Sequence, residues 1–135
     1  MDIFFTNPDD VPLPPEKMEI RELSAVPFED GKRVSVKFEI TPFQRRPNLE
    51  ITVFNQENRI VSSLSVVEAI ENKMTFTLHL KENKPTGIYQ VAMELFYAEL
   101  DKIDEDEDSL IKDIVLESKQ IIATTETSFE IPYHD

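Results

Sequence analysis

The residues able to do chemistry in this chain are few, and their spacing is the first thing to weigh. The densest group is Asp104-Glu105-Asp106-Glu107-Asp108. Asp104, Asp106 and Asp108 stand where the first three ligands of a calcium-binding EF-hand loop would stand. The pattern then breaks: the sixth position is Ser109 rather than glycine, and the twelfth is Val115 rather than glutamate. The three aspartates are weak metal candidates inside what reads as a solvated acidic loop, and no cofactor is expected. There are two histidines. His79 falls on the solvent side of its segment by phase, and His134 is the penultimate residue, so neither is set up for a Ser-His-Asp triad. The two glycines, Gly31 and Gly87, lie far apart. Nucleophile elbows, dinucleotide fingerprints and phosphate loops all need glycines close together. With no cysteine, disulfides, thiolate metal sites and cysteine nucleophiles are excluded. Carboxylate pairs for glycoside chemistry exist by residue type, but nothing in the sequence positions them and no tryptophan offers a sugar platform. The chain reads as a non-enzyme.

Charge narrows the partners. The chain of 135 residues has a formal net charge of −13. Residues 99 to 117 hold nine acids and two lysines, hence −7 of that total. Without a broad basic face, binding to a phosphate backbone is not expected. No apolar run approaches the ~18 residues of a membrane span. The start, Met-Asp-Ile-Phe-Phe-Thr-Asn-Pro-Asp-Asp, lacks the basic head and apolar run of a signal peptide; taken as the native start, it places the protein in the cytoplasm.

What must position any site is a series of alternating segments. Met74, Phe76, Leu78 and Leu80 fall on one face of a segment whose other face is Thr75, Thr77, His79 and Lys81; Lys84-Pro85-Thr86-Gly87 turns the chain; Tyr89, Val91, Met93, Leu95 and Tyr97 resume the alternation. Residues 1 to 15, with four prolines, read as an arm that covers part of the core, Ile3, Phe4 and Phe5 included. Residues 17 to 26 read as a first strand with a bulge, because Leu23 and Ala25 run one residue out of phase with Met18 and Ile20. Asp30-Gly31 is a hairpin signal. Val34, Val36, Phe38 and Ile40 make a second strand, Leu49, Ile51 and Val53 a third, and Ile60, Leu64 and Val66 a weaker edge strand. A last strand at 119–131 turns Ile121, Ala123, Thr125, Thr127, Phe129 and Ile131 to one side. The expected class is all-β, an antiparallel sandwich of about seven strands with an acidic insert, 99–118, before the last strand, and with residues 16–135 as its domain.

Strand order and lengths over roughly 16 to 131 resemble an immunoglobulin-like or fibronectin-type-III-like sandwich. Gly87-Ile88-Tyr89-Gln90-Val91 looks like the start of the sixth strand of such domains, with Tyr89 where a tyrosine corner forms. Antibody-type cysteines and the core tryptophan are missing. The resemblance implies architecture and leaves function open.

In a sandwich of this order the third, sixth and seventh strands share a sheet. Its outward positions include Phe54, Ile88, Ala92, Phe96 and Ile122, apolar where polar residues are expected. Antiparallel pairing is expected to set Phe54 near Ile88 and Phe96 near Ile122. Leu110, Ile111, Ile114 and Val115 have the spacing of a short amphipathic helix able to cover that face; a homodimer or a partner protein is the alternative cover. At one end of the sandwich, Phe43, Arg45 and Arg46 lie beside the acidic insert, in the place of antibody recognition loops. The functional expectation is a non-catalytic protein-interaction or assembly module. The alternatives are a divalent-metal module using Asp104, Asp106 and Asp108, and an inhibitor or carbohydrate-binding domain.

Overall fold

In a computed structural model of the protein, residues 11–98 and 119–132 are described. The acidic run, the 110–115 apolar spacing, His134 and Ile3, Phe4 and Phe5 lie outside those residues. Seven antiparallel strands form the described chain: β1 (Ile20–Pro27), β2 (Arg33–Ile40), β3 (Asn48–Phe54), β4 (Ile60–Val66), β5 (Lys73–His79), β6 (Gly87–Tyr97) and β7 (Gln120–Ile131). They build a three-stranded sheet, order β1-β2-β5, facing a four-stranded sheet, order β4-β3-β6-β7. The expected all-β sandwich is the observed one. Because side chains alternate across a strand, the inward sets of the inner strands meet between the sheets: Val34, Val36, Phe38, Ile40, Leu49, Ile51, Val53, Tyr89, Val91, Met93 and Leu95 are all fully buried. Among the described residues, no helix is long and apolar enough to cross a membrane.

Irregularities shift three of the expected phases. A bulge between Ile20 and Glu22 is the slip expected in the first strand. That strand begins later than expected, because Pro15–Lys17 forms a single 3-10 turn, with proline's fixed φ at its start. Met18 still enters the core, its sulfur accepting a hydrogen bond from the Thr41 hydroxyl at 3.2 Å. In β4 a second bulge opposite Val53 and Phe54 puts Val61 and Ser62 both inward and leaves Ile60 exposed, not Ile60 inward as alternation alone implies. A third bulge, opposite Leu95 and Phe96, corrects the last strand: Phe96 pairs with Ile121, Ile121 is exposed, and Ile122 packs against the core. An added residue flips every side chain before it to the other face, and strict alternation carries no mark of it.

Both glycines sit where geometry requires them. Gly31 takes φ +66° in the β1–β2 turn, where Asp30 Oδ1 accepts the Lys32 amide at 2.9 Å. That hydrogen bond, with Arg33 beside it, holds the Asp30 carboxyl below its ordinary range. Gly87 takes φ +93°, and a Cβ there would stand 2.7 Å from Gln56 Nε2. That amide donates to the carbonyls of Thr86 at 3.0 Å and Ile88 at 2.7 Å, tying the β3–β4 turn to the start of β6.

Two residues later Tyr89 forms the expected corner. Its hydroxyl accepts the Thr86 amide at 3.1 Å and donates to the Glu82 carboxylate. Asn55 Nδ2 donates to the same carboxylate at 3.0 Å, while Asn55 Oδ1 takes the amides of Glu57 and Arg59. Burial, then Glu82, pushes the Tyr89 phenol up to about 12, against the Thr86 hydrogen bond.

Candidate functional site

Strand directions gather three loops at one end of the sandwich: 41–47 between β2 and β3, 67–72 between β4 and β5, and the approach to 98 and 119 between β6 and β7. The arm joins them. Leu13 bridges Phe43 in parallel, its amide donating to the Pro42 carbonyl and its carbonyl accepting from Gln44, each at 2.9 Å. This docking uses backbone groups, which is why a proline-rich stretch can do it: Leu13 retains the donor its neighbours lack.

The sequence-predicted residues of this end separate into different roles. Phe43 is half-buried and packs, with Leu13, on the core. Arg45 is committed within the molecule. Its guanidinium lies over the Tyr97 ring at 5.3 Å and donates to the Ala98 carbonyl at 3.3 Å. Its own carbonyl accepts the Tyr97 hydroxyl at 3.0 Å. Burial raises the Tyr97 phenol and the Arg45 charge opposes that rise. Arg46 is exposed, with no hydrogen-bond or ion-pair partner among the described residues.

The 67–72 loop adds what sequence reasoning missed. Its polar groups turn inward: the Ala69 amide donates to the Pro47 carbonyl at 2.8 Å, the Glu68 amide to Asn48 Oδ1 at 2.9 Å, and Asn72 exchanges two hydrogen bonds with Ile40. Glu68 is held at φ +49°, an uncommon conformation for a non-glycine residue. The result is a tightly anchored turn that displays Val67 and Ile70, 68% and 67% exposed. Ile70 lines an open cleft with Pro42, Phe43, Glu71, Asn72 and Lys73. The signal in the sequence was slight: Val67 breaks the alternation of β4, and Ile70 stands alone among Glu68, Glu71 and Asn72.

The outer face of the four-stranded sheet differs in part from the expected apolar cluster of Phe54, Ile88, Ala92, Phe96 and Ile122. Phe54 is half-buried opposite Ile60 and Gln90, with Ile88 one step further along β6, 53% exposed. At the other end Phe96 lies under Lys119, whose Nζ is 4.4 Å above the ring. Between the two ends run Thr52, Ala92 and Glu126, then Glu50, Glu94 and Thr124. Glu50 and Glu94 are direct cross-strand neighbours, and Lys119 Nζ reaches them at 3.5 and 2.8 Å. Burial lowers the Lys119 pKa, but the two carboxylates outweigh it and the net shift is upward. Ile122, expected on this face, is turned to the core.

His79 is exposed on the opposite sheet, across from Arg33. No group of three or more histidine, cysteine or acidic side chains among the described residues is arranged to hold a metal. Asp104, Asp106 and Asp108 lie outside the described residues.

No family model matches the chain, and neither does any curated protein. Solved structures do. One is a Bifidobacterium dentium β-glucuronidase in complex with coumarin-3-O-glucuronide, at a TM-score of 0.53 and 13% identity, over 84% of this chain and 18% of that one. Others are a Dictyoglomus thermophilum β-D-glucuronidase (TM-score 0.46, 13% identity, 85% and 16% covered) and a Ruminococcus gnavus β-glucuronidase with a C6-substituted uronic isofagomine (0.47, 11%, 85% and 16%). This chain therefore spans less than a fifth of each of those proteins. At 13% identity the first likeness shows the fold, a seven-stranded antiparallel sandwich, and nothing of activity.

Proposed function

We propose that the chain is a non-catalytic protein-interaction or assembly module on an immunoglobulin-like, fibronectin-type-III-like sandwich. Its partner is a protein, and its recognition end is formed by Phe43, Arg46, Val67 and Ile70 beside the root of the acidic segment. The formed tyrosine corner at Tyr89 supports the immunoglobulin-like reading. The anchored 67–72 turn supports the recognition end. A loop that spends its polar groups inward and presents two aliphatic side chains outward has little ordering entropy left to lose on binding, and apolar residues flanked by a cation fit a protein surface better than a metal or a nucleotide. Placement in the cytoplasm, away from membrane and nucleic acid, belongs to the same proposal. The test is capture from an extract of the source organism by the intact chain and by a chain whose residues 99–118 are replaced with a glycine-serine linker. The same proteins should be captured by the first and lost or much reduced with the second; equal capture overturns the role of the acidic segment.

A second reading, a carbohydrate-binding sandwich, draws on the likeness to part of a β-glucuronidase complexed with a glucuronide. The exposed faces weigh against it: Tyr89 and Tyr97 are buried, and Phe96 is covered by Lys119. A glycan array decides it, since binding to any acidic or neutral glycan at micromolar concentration would favour this reading over a protein partner.

A further inference from the structure

The two long sides of the sandwich are built differently. On one side β1 packs closely against β7; on the other β4 and β5 barely meet. Each is the last strand of its sheet, and among the described residues no strand pairs with its outer edge. Away from the Val61 and Leu78 ends, their inward apolar side chains stay half-buried: Leu64 and Val66 on β4, Met74 and Phe76 on β5. The neighbouring strands β3 and β2 bury theirs completely.

An open edge of unpaired amides and carbonyls is a template for another strand, and proteins commonly guard it with lysine, proline or a bulge. β5 carries Lys73 and His79 at its ends. β4 is less guarded. From Ile60 to Val67 it has no charged residue and no proline. Its bulge lies at the Val61 end, where the Val61 carbonyl is already taken by the Lys81 amide at 2.8 Å. Ser62–Val66 remains, with small hydroxyl side chains, Ser63 and Ser65, outward and Leu64 and Val66 inward.

We propose that Ser62–Val66 is a self-association edge: two copies of the chain pair β4 to β4, antiparallel, joining two four-stranded sheets into one continuous sheet. The strand is complementary to itself, as a twofold interface requires. Pairing about an axis at Leu64 sets Ser63 against Ser65 on one face, and on the other Leu64 against Leu64 with Val66 against Ser62. Charge selects the antiparallel arrangement. Each copy carries −13, and −7 of it lies in residues 99–117, rooted at the end of the sandwich where β4 finishes. Antiparallel pairing puts the two roots at opposite ends of the paired strands, where the two Val66 residues are roughly 13 Å apart along the strand direction. That exceeds one screening length of about 8 Å at physiological salt, whereas parallel pairing would leave both roots at the same end. The proposal is independent of the recognition end described above.

Sedimentation velocity of the full chain over a concentration series tests it, at low and at high salt. A monomer–dimer equilibrium is expected, shifted toward dimer as salt screens the like charges. Ser63→Lys, at an outward position that leaves the core intact, is expected to shift it to monomer with an unchanged circular dichroism spectrum. Since the chain has no cysteine, a mixture of Ser63→Cys and Ser65→Cys chains is expected to give a mixed interchain disulfide under mild oxidation, because those positions oppose each other across the axis, and Thr75→Cys on β5 is expected to give none. A monomer at every concentration overturns the proposal, as does a dimer that is indifferent to Ser63→Lys or that cross-links through Thr75→Cys.

Discussion

At the scale of single residues, the end of the sandwich opposite the candidate site depends on Gly87 and Tyr89. Gly87→Ala adds a Cβ 2.7 Å from Gln56 Nε2 at a φ of +93°. It is expected to lower stability in urea by about 1–3 kcal/mol. Adding Gln56→Ala should restore only part of that loss, because it relieves the contact and leaves the backbone strain. Tyr89→Phe strands the Thr86 amide and removes a donor from Glu82, at a cost of about 1–3 kcal/mol. It also changes the pH profile. The Tyr89 pKa is raised in the folded state, to about 12. Its contribution is therefore whole below the unfolded tyrosine value of about 10 and is lost as pH rises toward 12. Denaturant titrations across that window should show the wild type losing stability faster than Tyr89→Phe. Identical slopes would mean that the phenol is not confined as described.

Among the elements, β3 and β6 show how a local pair shapes a face. Glu50 and Glu94 are like charges set directly across two strands, an unfavourable arrangement. Lys119, mostly buried and bonded to both, cancels it. Lys119→Ala should lower stability by about 1 kcal/mol, less at high salt, and Glu50→Gln in the same chain should recover most of the loss. A double-mutant cycle with no coupling would show the cluster to be incidental. The same strands mark what was legible in the sequence. The inward rows of β2, β3, β5 and β6 were readable because each alternates without interruption. Ile60, Ile121 and Ile122 were not, because bulges opposite Phe54 and Phe96 shift the phase and arise from pairing between strands rather than within one. At the candidate site Phe43, Arg45 and Arg46 were readable as one loop. Their division into a packed ring, an internal clamp on Tyr97 and a single exposed cation depends on partners 52 and 53 residues away in the chain. Val67 and Ile70 became visible only once the hydrogen bonds of their turn were traced.

For the whole molecule, charge and fold set what it can bind. A net −13 with −7 in one segment will attract divalent ions diffusely, yet the break in the EF-hand pattern at Ser109 and Val115 predicts no calcium site tighter than about 10⁻⁴ M. A saturable micromolar isotherm abolished by Asp106→Asn would contradict that. The sandwich leaves its two ends unlike: one is closed by the Tyr89–Glu82–Asn55 network, the other displays Val67, Ile70 and Arg46. The proposed protein partner sits at the second end. A hydrogen-exchange footprint of the chain, alone and bound to a captured partner, tests it most directly. Within the described residues, new protection is expected at 41–47 and 66–72, lost together with binding in Ile70→Asp. Protection centred instead on the outer sheet faces, or on the turns around Gly31 and Gly87, would contradict it.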